Sequence, residues 1–248
     1  MEDISVSFVS DIDINAEIFI EGLPGVGQVG KLVAEHMIDE LGANKVAEIH
    51  SIFFPPQVMI DENGVASLAK NEIYHYSDGG KDILFLVGDF QSTSAEGHYL
   101  LSDVYLEIAE KAGVKRIYTL GGYGVGHLVK DCRVLGAVNN EVLKSEAEDT
   151  GVIFTRGEPG GGIIGASGLL LGLGAQRGME AICLMGETSG YLVDPISATS
   201  LLDTLCQLIG MEVDPTQLRE RACEMEDFVE KVKEVEHTKS DEELSYIG

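Results

Sequence analysis

The segment at residues 21–31, E-G-L-P-G-V-G-Q-V-G-K, constrains the fold of this chain more than any other. A short apolar run ends at Ile20 just before it, and apolar residues recur at helical spacing from Val29 to Leu41 just after it. A strand, a glycine-rich turn and a helix in this order are typical of a nucleotide-binding α/β unit. The segment therefore predicts an α/β fold whose first helix begins at a glycine turn.

The glycines of this turn fit the dinucleotide-binding pattern. Gly25, Gly27 and Gly30 satisfy G-x-G-x-x-G, and Glu48, near the end of the next apolar run, stands where an acidic residue would bind ribose. The chain holds 30 glycines, so such a pattern also arises by chance. The alternative interpretation is a tight turn in which glycine lets a helix start close against a sheet.

The same turn also resembles a phosphate-binding P-loop. Gly25, Gly30 and Lys31 fit the Walker A pattern, but Leu32 takes the place of the Ser or Thr whose hydroxyl binds Mg²⁺. Asp89, which ends the run I-L-F-L-V-G-D, resembles a Walker B carboxylate, although an acidic residue after a buried strand is common in α/β proteins. We therefore expect no ATPase activity, no tight binding of Mg·ATP and no cofactor.

The charge of the chain excludes one class of partner. Its 42 acidic and 17 basic residues give a net charge of −25. A phosphate polyanion is repelled by such a field, so we expect no binding to nucleic acid. The acidic excess does not by itself identify a partner that does bind.

Hydropathy and the first residues predict a cytoplasmic protein without a membrane segment. The longest apolar stretches, 163–173 and 83–87, are shorter than a membrane span. The opening M-E-D-I-S-V is acidic and has no basic region of a signal peptide. The four cysteines show no metal-ligand spacing, so no metal site is expected.

Apolar periodicity and turn residues predict alternating strands and helices. A three-layer α/β/α domain with a mostly parallel sheet and a β-meander insertion follows from this alternation. We assign residues 1–237 to this single domain and residues 238–248 to a flexible tail. Strands are predicted at 17–21, 45–50, 57–60, 65–70, 72–76, 82–88, 115–120, 152–155 and 181–185, and helices at 27–41, 97–112, 139–150, from about 168 to 173, 195–209 and 215–235.

Polar residues gather in the loops that follow the predicted strands. In an open α/β sheet such loops meet at a crevice where ligands bind. Of the histidines, only His98 and His127 lie near these loops, and the chain contains no G-x-S-x-G nucleophile pattern. Either the loop glycines only permit sharp turns or the loops form a small-molecule site, whose candidate residues are Asp89, Gln91, Tyr123, Glu187 and Thr188.

The last residues carry a separate signal. Leu244, Tyr246 and Ile247 are apolar, and they follow a polar S-D-E-E stretch. A disordered terminus ordinarily lacks large apolar groups, so these three side chains either pack on the body or insert into a groove of a partner. They are the candidate partner-binding residues.

Five segments together resemble the proteasome assembly chaperone family, in its archaeal branch related to the second subunit of the eukaryotic assembly-chaperone heterodimer. The resemblance covers about residues 15–215. The matching segments are G-L-P-G-V-G-Q-V-G at 22–30, G-D-F-Q at 88–91, G-G-Y at 121–123, I-I-G-A-S-G-L-L-L-G at 163–172 and G-E-T-S-G-Y-L-V-D-P at 186–195.

The resemblance implies a purine-nucleoside-phosphorylase-like fold, no established catalysis, oligomers, and binding to proteasome α subunits during ring assembly. The apolar run 166–176 also favours a homo-oligomer, unless it is an internal helix. Members of this family can end in hydrophobic–Tyr–any residue, whereas Tyr246 is third from the end here. The first hypothesis is thus a non-enzymatic assembly chaperone or adaptor. The alternative is a small-molecule enzyme using the crevice, either an ATP-dependent carboxylate–amine ligase, as related chains have been described, or a nucleoside phosphorylase or hydrolase.

Overall fold

The computed structural model describes residues 2–9, 14–78, 80–155 and 162–225. These residues form a large sheet with helices on both faces. The strands are β1 (Ile4–Phe8), β2 (Ile18–Glu21), β3 (Asn44–Ser51), β4 (Val58–Ile60), β5 (Ala66–Leu68), β6 (Asn71–Ser77), β7 (Asp82–Gly88), β8 (Arg116–Gly124), β9 (Val134–Val138) and β10 (Glu180–Thr188). The helices are α1 (Val29–Leu41), α2 (Ala95–Lys111), α3 (Leu143–Glu148), α4 (Ala166–Gln176), α5 (Pro195–Ile209) and α6, at residues 216–225.

The main sheet has eight strands in the order β1-β3-β6-β7-β2-β8-β10-β9. Its four adjacent strands β7, β2, β8 and β10 are mutually parallel, and the flanking strands pair antiparallel. The predicted α/β fold class is confirmed. Its parallel centre places the carboxyl ends of four strands at one edge of the sheet.

Two apolar cores lie on opposite faces of the sheet. Neighbouring residues of a strand point to opposite faces, so Phe19 packs with α2 and α4 while Ile20 packs with α1 and α5. Both side chains are fully buried. This two-sided burial explains why β2 and β7 read as continuous apolar runs and not as alternating ones.

The two longest helices begin at side-chain caps. Ser94 accepts a hydrogen bond from the amide of Gly97 at 3.1 Å, and Asp194 accepts one from the amide of Ser197 at 2.9 Å. Pro195 occupies the first turn of α5, where a missing amide hydrogen costs no helical bond. No helix in the described ranges is both long enough and apolar enough to cross a membrane.

The structure differs from the sequence-based elements mainly at the two edges of the sheet, where neither β1 nor β9 was predicted as a strand. Residues 134–138 form a strand that the sequence did not predict, because Gly136 interrupts its apolar run. A Cβ at Gly136 would lie 2.4 Å from Val152 Cγ1, so close packing requires the glycine. The predicted helix at 139–150 is shorter, at 143–148, and the predicted strand at 152–155 is reduced to one bridge between Ile153 and Leu135.

The predicted β-meander is divided between two sheets. β4 and β5 form a separate two-stranded hairpin, whereas β6 joins the main sheet between β3 and β7. Of the predicted helix at 215–235, residues 216–225 are helical and the remainder lies outside the described residues. The tail at 238–248, with Leu244, Tyr246 and Ile247, also lies outside them.

Candidate functional site

The glycine turn enters α1 through left-handed backbone. Gly27 and Gln28 have φ values of 64° and 54°, and they belong to a short 3₁₀ turn, Val26–Gln28, that leads into α1. A Cβ at Gly27 would also lie 2.7 Å from Thr188 Oγ1. Conformation and close contact therefore both favour glycine at this position.

The other glycines of the turn allow α1 to contact the sheet directly. A Cβ at Gly30 would lie 2.2 Å from the carbonyl oxygen of Leu120 in β8, and a Cβ at Gly22 would lie 2.4 Å from that of Ala34 in α1. These contacts support the interpretation of a helix that starts close against a sheet. Of Gly25, Gly27 and Gly30, only Gly25 has space around an added Cβ.

Lys31, the lysine of the P-loop-like pattern, contacts the end of β7. Its Nζ donates a hydrogen bond to the carbonyl oxygen of Gly88 at 2.9 Å and lies 3.5 Å from a carboxylate oxygen of Glu35. Asp89, the residue after Gly88, accepts a hydrogen bond from the amide of Lys70 at 3.0 Å. Both charged candidates near this strand end thus have protein partners.

A crevice of about 470 Å³ opens at the carboxyl ends of β2, β8 and β10. Backbone from Leu120 to Gly124 forms one wall, and Leu23, Gly25 and Val26 form another. Of the five candidate residues, Gln91 and Tyr123 line it. Asp89, Glu187 and Thr188 do not.

Gln91 joins two segments across this crevice. Its Nε2 donates to the carbonyl oxygen of Pro24 at 2.9 Å, and its Oε1 accepts from the amide of Ala166 at 3.0 Å. Glycine at position 165 leaves room for the side-chain amide of Gln91, because a Cβ there would lie 2.5 Å from Gln91 Oε1. Its φ of 89° also favours glycine. The side chain therefore positions the glycine turn against the start of α4.

Glu187 and Thr188 belong to polar pairs outside the crevice. Arg133 contacts Glu187 with its guanidinium and donates its amide to the carboxylate at 3.3 Å, which holds the pKa of Glu187 below its usual range. Thr188 Oγ1 donates to Asp194 at 2.6 Å. These two residues position β10 and the start of α5.

Glu21 is the residue at this site that sequence reasoning missed. Its carboxylate is fully buried, accepting hydrogen bonds from the amide of Leu23 at 2.9 Å and from Ser167 Oγ at 2.8 Å. Burial raises the pKa of Glu21 to about 7, against the smaller opposing effect of these two bonds. An acidic residue that ends an apolar strand was the signal available in the sequence.

Two further crevice residues have pKa values shifted by burial. His98 lines the crevice, and partial burial lowers its pKa, whereas His127 is exposed. Cys183 is fully buried beneath the crevice, and burial raises the pKa of its thiol to about 12. In the described parts of the chain, no three His, Cys, Asp or Glu residues form a group that could hold a metal ion.

The rim of the crevice is apolar and exposed. Val26 and Ile164 both line the crevice, and both are exposed. Gly190, next to the exposed Tyr191, lies against Val26. An exposed apolar rim of this kind is typical of a surface that binds another protein.

A protein-family model described as the PAC2 family matches residues 19–233. The chain belongs to the PAC2 family. The resemblance found in the five sequence segments is thereby confirmed.

Relatives of this PAC2 protein match it over nearly its whole length. Its sequence is 41% identical to that of Pyrococcus furiosus PbaB, an archaeal proteasome activator. The crystal structure of PbaB matches with a TM-score of 0.88, and the match covers 94% of this chain and 100% of that chain. Pyrococcus furiosus PbaA, an archaeal homologue of proteasome-assembly chaperone, is 25% identical in sequence. Its crystal structure matches with a TM-score of 0.78, over 99% of this chain and 98% of that chain. The uncharacterized protein MJ1210 of Methanocaldococcus jannaschii is 37% identical over 97% of this chain and 96% of its own length.

Proposed function

We propose that this PAC2 protein is a non-enzymatic chaperone or adaptor that binds proteasome α subunits in the cytoplasm, as a homo-oligomer. The observation that carries the proposal is the 41% identity and TM-score of 0.88 to an archaeal proteasome activator over 94% of this chain. The fold is also that of PbaA, a homologue of proteasome-assembly chaperone.

The geometry of the site supports binding over catalysis. Three of the polar side chains that the sequence offered for chemistry have structural partners: Lys31 contacts Gly88, Gln91 contacts Pro24 and Ala166, and Glu187 contacts Arg133. The rim, in contrast, exposes the side chains of Val26 and Ile164 to solvent. A contact surface for protein fits this distribution.

The C-terminal residues Leu244, Tyr246 and Ile247 are the proposed contact with the α subunits. In sequence they place an aromatic residue between aliphatic ones behind an acidic stretch. The domain at 1–237 would then serve as the body that carries a mobile tail. Insertion of these side chains into a groove between subunits removes apolar surface from water.

The test is co-purification of proteasome α subunits with the full-length tagged protein. We expect capture by the wild type, and reduced capture after deletion of residues 240–248 or with Tyr246→Ala. Ser245→Ala is the matched control in the same segment and leaves capture unchanged. The melting temperature of the truncated protein stays within about 2 °C of the wild type, because a polar terminus contributes little to stability.

Failure of capture by the wild-type protein, with α subunits both free and in rings, contradicts the proposed function. A truncated protein that melts visibly lower and still binds α subunits contradicts the role of the tail alone. In that case Leu244, Tyr246 and Ile247 pack on the body, and another surface contacts the α subunits.

The alternative enzymatic function has one observation in its favour. Glu21 and Ser167 are hydrogen-bonded at the crevice, and the raised pKa of Glu21 falls in the range of a general acid or base. A ligase or a nucleoside phosphorylase or hydrolase of this kind would bind its substrate in the crevice. Calorimetric titration with Mg·ATP and with purine nucleosides tests this, and heat of binding lost in Ser167→Ala would favour the enzyme.

A further inference from the structure

The outer side of β1 is an open sheet edge. β1 ends the eight-stranded sheet, and no strand in the described ranges pairs with its outer side. Its inner side pairs with β3 without interruption: Ile4 lies opposite Ser51 at one end, and Phe8 lies opposite Ala47 at the other. Val9 donates its amide hydrogen to β3. The N–H and C=O groups of successive residues point to alternate sides of an antiparallel strand. Because residue 9 faces β3, the amides of residues 4, 6 and 8 face the open side.

This edge lacks the features that keep natural edge strands apart. Lysine, proline, a β-bulge or an inward-pointing charge usually prevents such an edge from pairing with another strand. The sequence of β1, I-S-V-S-F, contains neither charge nor proline, and its register with β3 has no bulge. The strand is therefore a template for a further β-strand.

A surface with few charged residues lies beside this edge. A groove of about 730 Å³ runs between β1 and the β4–β5 hairpin, and its lining includes Ser5, Pro55, Pro56 and Leu68, with the acidic Glu2 just before β1. The hairpin segment carries no Asp, Glu, Lys or Arg except at its tip, at 61–62, in a chain in which 24% of residues are charged. Five of its aliphatic side chains are half exposed or more: Ile52, Val58, Ile60, Val65 and Leu68.

We propose that a second copy of this chain covers this face, with the two β1 strands paired antiparallel about a twofold axis near Val6. An antiparallel pair of identical strands is self-complementary, as a twofold interface requires. The pairing joins two eight-stranded sheets into one. It brings the hairpin and groove of each copy beside the partner.

Charge and size identify the second copy as the occupant. Two chains of net charge −25 repel each other, so close contact between them is most favourable across a face that carries few charges. A basic partner would instead be drawn to the acidic surface elsewhere. Residues 2–9 and 51–69 together supply 27 residues, and a standard interface takes about 20–30 from each side.

Light scattering and amide hydrogen exchange on the full-length protein test the proposal. We expect a mass of at least two chains, and protection of the outward amides of residues 4, 6 and 8 that is lost on dilution. Val6→Pro removes an outward amide without removing a bond to β3, and Ile60→Glu adds a charge to the hairpin. Each weakens association about tenfold or more, because it leaves a hydrogen-bond acceptor or a charge buried without a partner.

Val142→Glu is the matched control. Val142 is 68% exposed, against 62% for Ile60, and it precedes α3, which packs on β9 at the opposite end of the sheet. This variant associates like the wild type. A monomer at tens of micromolar, or an oligomer whose mass both Val6→Pro and Ile60→Glu leave unchanged, overturns the proposal. Protection of the outward amides of residues 4, 6 and 8 in a monomer also overturns it, because the chain itself would then cover the edge. If Val6→Pro fails to fold, Ile60→Glu and the exchange of the wild type decide the question.

Discussion

Lys31 Nζ lies 2.9 Å from the carbonyl oxygen of Gly88, to which it donates a hydrogen bond. The residue that a P-loop would use to hold phosphate thereby joins the first turn of α1 to the end of β7. Glu35, one helical turn later, lies 3.5 Å from the same ammonium group. The P-loop-like pattern thus has a structural use in this chain.

Lys31→Ala is expected to lower the free energy of unfolding by about 1 kcal/mol, since it removes one charged hydrogen bond that is partly screened by solvent. Urea unfolding measures this. Lys111→Ala, whose side chain is 77% exposed and lies 3.8 Å from Glu107, is the control and changes stability little. We expect no calorimetric binding of Mg·ATP by either the wild type or the variant. Mg²⁺-dependent affinity at about micromolar or below, lost in Lys31→Ala, would contradict the structural role.

Gly30→Ala is expected to be strongly destabilising. The added methyl group would lie 2.2 Å from the carbonyl oxygen of Leu120, so α1 must move away from β8. The cost is about 3 kcal/mol or more, as for overpacking of a rigid core. Gly172→Ala is the matched control in α4, where an added Cβ contacts nothing within 4 Å.

This control should stabilise the protein by about 0.5–1 kcal/mol, because alanine favours helix over glycine. Thermal and urea unfolding of both variants compare the two effects. Equal melting temperatures for Gly30→Ala and the wild type would show that α1 has more freedom than the contact implies.

Glu21→Gln is expected to become more stable relative to the wild type as pH rises. The folded-state pKa of Glu21, about 7, exceeds its ordinary value of 4.5. A raised carboxyl pKa contributes stability that is fully present below about 4.5 and is lost as pH rises to about 7. The difference between variant and wild type therefore grows over this window, by about 3 kcal/mol in total, and then levels off.

Urea unfolding between pH 4.5 and 8 measures this difference. Glutamine keeps an oxygen that accepts the hydrogen bond of Leu23, so the variant retains the local structure. A difference that does not change with pH would mean that the carboxyl group of Glu21 ionises normally in the folded protein.

Glu48→Gln is expected to show the opposite pH dependence. Lys45 and Lys70 donate to Glu48 Oε1 at 2.5 and 2.6 Å, and these bonds lower the pKa of Glu48 to about 2. A depressed carboxyl pKa contributes stability above about 4.5 that is lost as pH falls toward 2. Its side chain is 27% exposed, so after solvent screening we expect a loss of about 1 kcal/mol at neutral pH.

This loss becomes smaller in high salt, because exposed ion pairs are screened. Glu107→Gln, at the 53% exposed end of a helical pair, is the control and changes stability by less. The variant and the wild type could instead unfold at the same acidic pH and have equal stability at pH 7. That result would show that Lys45 and Lys70 bind other partners in solution.

The sequence predicted the elements that determine the parallel centre. Apolar runs at 17–21, 82–88, 115–120 and 181–185 correspond to β2, β7, β8 and β10, because two-sided burial leaves a continuous hydrophobic signal. The glycine turn and the crevice at the strand ends followed from the same pattern. Gln91 and Tyr123 were named from predicted loop positions, and both line that crevice, although Tyr123 lies in β8, which extends to Gly124.

The sequence did not predict the buried polar contacts. Glu21 becomes a buried, hydrogen-bonded carboxylate only when the fold brings Ser167, 146 positions away, into contact with it. Asp89 follows β7 as expected, whereas Glu187 lies within β10. Asp89 pairs with Lys70 and Glu187 with Arg133, and neither lines the crevice. Spacing along a chain reports which side chains share a strand end, and not which of them point to the same cavity.

The central position of β2 has a consequence for synthesis on the ribosome. β2 is among the first elements made, yet its two neighbours pair with it through Ile83 and Arg116 of β7 and β8. One side of β2 is covered only after β7 is complete at residue 88 and the other only after β8 is complete at residue 124, and non-local pairing of this kind is slow. The nascent apolar segment at 18–20 therefore stays exposed for several seconds, at about 5–20 residues per second.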